Sequence, residues 1–311
     1  MQICVTLNPC LDKSLVVPAW QPGDHQVRGR ECGWVVGGKG VNVARALTHL
    51  GQPARPALFL GGEIGLLCDR LLREQDGFEP LVSWTEAPTR EILTVRTDQT
   101  AEQTAFFDPN PRINASEQQG LVDQLRAAFE GGAEWCVLSG SSPCRATNHL
   151  YATFILMARQ AGMRACLDTY GECLLPALEA RPDVVKMNRK ECEQAYGRPL
   201  DSFAAVSDAL AWIRAHGVAY AAITFGSQGV VAAWEDGVMA WEPPRIEEVN
   251  PIGAGDALTA GLIDALVRGE GPEEAFRWGM ACAVCNVKRW GACDFHRHEV
   301  EQIVGQIKQC G

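Results

Sequence analysis

No stretch of this 311-residue chain reaches the ~18 consecutive apolar residues that a membrane-spanning helix needs. Excess positive charge is missing too, with 28 Lys and Arg against 38 Asp and Glu and a formal charge of -10. An extended nucleic-acid or anionic-membrane surface requires clustered positive charge, so neither partner is expected, and an anionic small molecule would have to be met by individual arginines and lysines. The complete G-x-x-x-x-G-K-[ST] phosphate loop is absent, and no G-x-G-x-x-G opens a helix after the first apolar run, which counts against P-loop nucleotidases and Rossmann dehydrogenases. Internal repeats, low-complexity tracts and flexible linkers are also lacking. The chain begins directly on Gln2-Ile3-Cys4-Val5-Thr6-Leu7, without the charged and apolar segments of a secretory leader, so a cytoplasmic protein is expected.

Cysteine, by contrast, is plentiful at 13 residues. The count is odd, and several cysteines sit inside apolar runs, as Cys136 does in Trp135-Cys136-Val137-Leu138 and Cys166 does in Ala165-Cys166-Leu167. Reduced thiols in a core explain this better than a disulfide framework. Cys282-x-x-Cys285, with Cys293, His296 and His298 downstream, also offers ligand types for zinc. A helix expected from Glu273 to Arg289 gives the other reading, in which residues three apart fill one buried face.

Strand-like runs at 2–7, 55–60, 134–139, 163–168, 183–186 and 219–225 alternate with helical patterns near 40–50, 64–75, 117–130, 147–161, 172–180 and 202–215. That rhythm predicts an α/β fold, a mostly parallel central sheet with helices on both faces. Shorter alternating segments at 14–18, 31–36, 91–97 and 103–107 interrupt it and predict a small separate sheet. The chain is read as one domain over 1–311 with a discontinuous β-sheet lid formed by about 11–36 and 88–108.

Two glycine turns carry chemistry. In Pro251-Ile252-Gly253-Ala254-Gly255-Asp256 the turn precedes Leu258, Leu262, Ile263, Leu266 and Val267 at helical spacing, so it opens a buried helix. Its first backbone N–H groups lack intrahelical partners and the helix dipole adds positive charge, so a phosphate can approach a turn without bulky side chains. Asp256 beside that phosphate either caps the helix or accepts the proton of a hydroxyl attacking a transferring phosphoryl group. The second turn, Gly37-Gly38-Lys39-Gly40-Val41-Asn42, opens another helix with Val43, Ala44, Leu47 and Leu50 on one face. A cation, an amide and free backbone donors at its open end suit a polar, hydroxyl- or phosphate-bearing ligand.

Together these residues resemble the ribokinase-like carbohydrate kinases, and within them the PfkB branch of 1-phosphofructokinase and tagatose-6-phosphate kinase. The resemblance covers nearly the whole chain, in the family's order: Thr6-Leu7-Asn8-Pro9-Cys10-Leu11-Asp12, the Gly37–Asn42 turn, Thr89-Arg90, Ser139-Gly140-Ser141, Lys186-Met187-Asn188-Arg189-Lys190-Glu191, Thr224-Phe225-Gly226-Ser227-Gln228-Gly229 and Gly253–Asp256. It implies that Asp256 is the catalytic base and that Gly253, Ala254 and Gly255 form an anion hole. Asp12, Gly38, Lys39, Asn42 and Ser139 would belong to the sugar side. Lys186, Asn188, Glu191, Thr224, Gly226 and Gly229 would belong to the nucleotide side, with ATP as donor and Mg2+ organised through Asn188 and Glu191 by way of water. In the resembling family the lid closes over the sugar and often makes a dimer interface, so a homodimer through the lid is expected.

The acceptor is less sharply written. Arg90 presents a planar fork that matches phosphate oxygens, so Arg90 with Lys39 is read as the grip on a phosphate already present on the sugar. The reading is therefore an ATP- and magnesium-dependent kinase of a sugar monophosphate of the fructose 1-phosphate, fructose 6-phosphate or tagatose 6-phosphate class. The alternatives are a ribokinase-like kinase of an unphosphorylated sugar or nucleoside, and a sugar-phosphate-binding regulator without turnover. Arg28 and Arg30 precede the glycine turn as either phosphate contacts or solvated charges. Arg145 lies in Ser139-Gly140-Ser141-Ser142-Pro143-Cys144-Arg145, a run that departs from the family pattern, and is open to the same two readings. Asn286-Val287-Lys288-Arg289-Trp290-Gly291 falls where relatives carry small residues near the adenine, which leaves nucleotide preference open.

Overall fold

The computed structural model describes residues 1–97 and 103–310. Strand β1 (Gln2–Thr6) leads into β2 (Cys10–Val17), β3 (Glu31–Gly37) and helix α1 (Lys39–His49). β4 (Ala54–Gly61), α2 (Gly62–Glu74), β5 (Leu81–Thr85), β6 (Arg90–Thr97) and β7 (Gln103–Phe107) follow. The middle of the chain alternates α3 (Ala115–Glu130), β8 (Trp135–Ser139), α4 (Leu150–Gln160), β9 (Arg164–Asp168), α5 (Leu174–Glu179), β10 (Val184–Asn188), α6 (Arg189–Tyr196), α7 (Phe203–Arg214) and β11 (Tyr220–Thr224). It closes with β12 (Val230–Trp234), β13 (Gly237–Glu242), α8 (Ala254–Val267), α9 (Pro272–Val287), α10 (Arg297–Val304) and β14 (Lys308–Cys310).

The large sheet has the order β14-β13-β12-β11-β10-β9-β8-β1-β4-β5. Its strands from β5 to β11 pair in parallel, and β12, β13 and β14 extend it antiparallel. Side chains alternate across a strand, and here both faces are buried: Ile3, Val5 and Leu7 join one apolar cluster while Cys4 joins the other. The first cluster holds residues of α3, α4, α5 and α7, and the second holds residues of α1, α2, α8 and α9. Strand order reverses between β1 and β8, so the crevice beyond their carboxyl ends is where an open α/β sheet places a ligand.

A second sheet has the order β3-β2-β6-β7, with β2 and β6 parallel and the outer pairs antiparallel. It forms from the four short segments expected as a lid; residues 98–102 of that expectation lie outside the described residues. Sequence periodicity did not mark β5, the β12–β14 extension, α6 or α10. Each is short or, like α6, polar on most faces, so period alone gives it little signal. Among the described residues no helix is long and apolar enough to cross a membrane.

Candidate active site

The carboxyl ends of β1, β8, β9, β10 and β11 open into a cleft of about 1180 Å3, lined also by residues of the small sheet that include Asp12, Thr94 and Phe107. Helix α8 points its N-terminus at this cleft. Gly253 caps it at φ 84°, a left-handed conformation that favours glycine, and so turns the chain sharply into the helix. The Ala254 N–H returns to the Pro251 carbonyl at 3.2 Å, so the open donors at this turn, among the described residues, are the amides of Gly253, Gly255 and Asp256. A methyl on Gly255 would stand 2.8 Å from the Lys186 ammonium, which shows how closely that cation lies over the turn.

Asp256 is buried, and Asn42 Nδ2 donates to its Oδ2 at 2.8 Å. Burial, followed by the nearby Asp168 carboxylate, pushes the Asp256 carboxyl up to about 6, against the pull of Lys39, Lys186 and the Asn42 hydrogen bond. A carboxylate with that proton affinity is ionised at neutral pH and still able to take a proton, as a general base requires.

The lysines are organised by a residue that the sequence reading passed over. Asp168 ends β9 fully buried; Lys186 Nζ lies 2.6 Å from one of its oxygens and Lys39 Nζ 3.1 Å from the other. Burial alone would raise the Asp168 carboxyl, but the two ammonium groups hold it below the ordinary carboxylate value. Lys39 also pairs with Glu191 Oε1 at 3.2 Å and lies 5.5 Å from the Tyr170 ring centre. Although burial opposes its charge, the carboxylates of Asp168, Glu191 and Asp256 hold its proton well above the usual lysine range. The signal was present in Ala165-Cys166-Leu167-Asp168, an apolar strand ending in a carboxylate at the sheet edge that carries the site.

Asn188 and Glu191 form the capping box of α6: Glu191 N donates to Asn188 Oδ1, and Asn188 N donates to Glu191 Oε2, both at 2.9 Å. Thr224, Gly226 and Gly229 also line the cleft, as do Pro243, Pro244, Val287 and Trp290. Gly38, Lys39, Asn42 and Arg90 are all on the wall of the cleft. Thr94 Oγ1 donates to Asp12 Oδ1 at 3.2 Å, and burial, partly offset by that bond, raises the Asp12 carboxyl. Arg90 donates to the Asn8 carbonyl at 3.1 Å, the Pro9 carbonyl at 3.4 Å and Asn110 Oδ1 at 3.3 Å, which fixes its fork at the edge of the cleft.

Some expected positions fall elsewhere. Ser139 is fully buried at the end of β8, and its neighbours Gly140 and Ser141 form the wall instead. Arg28, Arg30 and Arg145 are exposed and do not line the cleft, whereas Trp290 does. Cys282, Cys285 and Cys293 are buried free thiols, and among the described residues no three His, Cys, Asp or Glu side chains gather as metal ligands. Cys282 and Cys285 are buried on α9, where the helical reading put them.

The profile of the pfkB family carbohydrate kinases matches residues 5–298. A 1-phosphofructokinase of Xanthomonas campestris is 32% identical over 292 residues, spanning 92% of this chain and 91% of that protein. The crystal structure of phosphofructokinase-2 from Escherichia coli in complex with fructose-6-phosphate matches at 27% identity, with a TM-score of 0.88 over 98% of both chains. Arabidopsis thaliana ribokinase complexed with ribose and ATP matches in fold, with a TM-score of 0.78 at 19% identity over 97% of this chain and 98% of that one.

Proposed function

The chain belongs to the pfkB family of carbohydrate kinases, and from that premise we propose that it transfers the γ-phosphoryl group of ATP to a hydroxyl of a sugar monophosphate, giving a bisphosphate and ADP. The acceptor is of the fructose 1-phosphate, fructose 6-phosphate or tagatose 6-phosphate class. One observation carries the reading: a buried carboxylate, Asp256, poised to take a proton at the N-terminus of α8, in one cleft with two buried or half-buried lysines and the fixed fork of Arg90.

Asp256 Oδ2 is held by Asn42, and its other oxygen takes the proton of the acceptor hydroxyl as that hydroxyl attacks phosphorus. The Gly255 and Asp256 amides and the Lys186 ammonium lie where charge on the transferring phosphoryl group would be met by donors already in place. Asp12 and Lys39 hold sugar oxygens, and Arg90 contacts the resident phosphate. Closure of the lid excludes water, which competes with the sugar for the phosphoryl group. Thr224, Gly226 and Gly229 contact the nucleotide.

Asn188 and Glu191 suit a magnesium ion held through water. Both Glu191 oxygens and Asn188 Oδ1 already accept protein hydrogen bonds, which leaves lone pairs for hydration waters rather than a vacant ligand cage. When bound, the ion would offset the charge of the donor phosphates. Asp256→Asn tests the base directly. Turnover should fall by about 10²–10⁴-fold while nucleotide binding persists, and a variant keeping more than about a tenth of wild-type kcat removes Asp256 from the role.

The lid also leaves Trp34, Val35, Phe106 and Phe107 exposed on β3 and β7. Apolar side chains on a small sheet with open edges favour pairing with a second copy, so we read the lid as a homodimer surface. A strict monomer in sedimentation at micromolar concentration would refute that part of the reading.

A further inference from the structure

Arg45 has no assigned role in the chemistry above, yet it is nine-tenths buried on α1, three residues beyond Asn42, and each of its three guanidinium nitrogens donates a hydrogen bond. Its Nε and Nη2 donate to the two carboxylate oxygens of Asp76, each at 2.8 Å, and Nη2 also reaches the Val36 carbonyl at 3.3 Å. The remaining Nη1 donates to Asn42 Oδ1 at 3.1 Å, and Asn42 Nδ2 donates to Asp256 Oδ2 at 2.8 Å. A side-chain amide has one accepting and one donating end, whereas a guanidinium can only donate. Arg45 therefore meets the amide oxygen and aims the amide nitrogen at the carboxylate. In the reversed amide, NH2 would face the guanidinium and oxygen would face the carboxylate, two repulsive contacts.

We propose that Arg45, braced by Asp76, is a positioning residue for the catalytic base: it sets the orientation of the Asn42 amide, which holds one oxygen of Asp256 and leaves the other for the acceptor hydroxyl. The proposal rests on Asp256 being the base. Asp168 from β9, Lys39 from α1, Lys186 from β10 and Cys293 from the segment after α9 also face Asp256. Arg45 acts by its own charge on Cys293 and stands one amide away from Asp256, so Arg45→Lys, which keeps the charge, separates the turned amide from the lost cation. With the amide free to turn, Asp256 loses a fixed donor to its charged form and takes up a proton at higher pH.

Arg45→Ala and Asp256→Asn are compared with the full-length enzyme, using ATP and the best acceptor among fructose 1-phosphate, fructose 6-phosphate and tagatose 6-phosphate. Arg45→Ala should lower kcat by about 10- to 100-fold with little change in KM for ATP, the size expected from misplacing a reacting group. The acid limb of its kcat–pH profile should move upward by about half a pH unit or more. Arg45 also lines a smaller cleft of about 280 Å3 with His49 and Asp76, which gives access for chemical rescue. Guanidinium at tens of millimolar should restore turnover, and urea, its uncharged analogue, should not. If Arg45→Ala does not fold, Arg45→Lys serves: it keeps the charge but cannot hold both Asp76 oxygens and Asn42 together, so the same kcat loss and shifted limb are expected. A folded variant with kcat within about twofold of wild type, or a loss with an unmoved acid limb and no guanidinium rescue, overturns the proposal. An active Asp256→Asn enzyme would instead refute the base assignment, which separates the two failures.

Discussion

Asp256→Asn should make the protein inactive and more stable at the same time. Burial, and then Asp168, hold the Asp256 carboxyl at about 6 against an ordinary value of 3.8. Between those values the folded protein binds a proton more readily than the unfolded chain, so stability falls as pH rises through the window, and the ionised carboxylate costs free energy above it. At about 1.36 kcal/mol per pH unit, the shift corresponds to roughly 3 kcal/mol. Asparagine keeps the shape and still accepts the Asn42 N–H through its carbonyl, but it has no charge to bury, so up to that amount should be recovered. A helix-capping carboxylate behaves in the opposite way, since its loss costs about 0.5–2 kcal/mol. The cap residue of α8 is Gly253, with no side-chain capping bond, in keeping with the first case. Urea unfolding of both proteins across the acid range measures the difference, which should be full above about pH 6 and vanish toward 3.8. A variant less stable than wild type at neutral pH would refute the reasoning and make the carboxylate structural.

Lys186→Met should destabilise the protein by about 3–5 kcal/mol in urea unfolding, because it leaves the buried Asp168 with Lys39 alone. Asp168, held below its ordinary value by the two lysines, contributes stability that is present at neutral pH and lost as pH falls through its folded value; in Lys186→Met that acid-side loss should begin at higher pH. Gly255→Ala places a methyl 2.8 Å from the Lys186 ammonium, which Asp168 prevents from swinging away, so kcat should drop by about tenfold or more while the unfolding midpoint changes little. Arg90→Ala should raise KM for the sugar phosphate by a factor equivalent to roughly 1.5–3 kcal/mol and leave KM for ATP nearly unchanged in initial-rate measurements.

The fold was legible where burial imposes a period. Ile3, Cys4, Val5 and Leu7 make a nearly unbroken apolar run that reads as an interior strand, and the structure buries Ile3, Val5 and Leu7 on one face and Cys4 on the other. The lid strands were legible because their short alternating segments break that rhythm. Less was visible for β12 to β14, which add antiparallel strands at an edge, and for α6, whose only buried residue is Cys192. In the site, glycine turns and their flanking polar residues were readable because anion binding at a helix start demands small residues at fixed spacing. Arg45 was not, and Asp168 showed only as a carboxylate ending an apolar strand, since the importance of both lies in distances across the fold: 129 positions separate Lys39 from Asp168, and 31 separate Arg45 from Asp76. Asn188 and Glu191 fit two descriptions at once, a helix capping box and a polar pair beside the nucleotide, and spacing alone cannot separate them.

The central claim, phosphoryl transfer to a sugar that already carries a phosphate, is tested most directly by ADP release from the purified full-length protein with ATP and magnesium. The acceptors to compare are fructose 1-phosphate, fructose 6-phosphate, tagatose 6-phosphate, free fructose, ribose and a nucleoside. At least one of the three sugar phosphates should give a kcat/KM well above every unphosphorylated acceptor. A free sugar or nucleoside turned over faster than all three would contradict the claim and make Arg90 a structural arginine at the edge of the cleft.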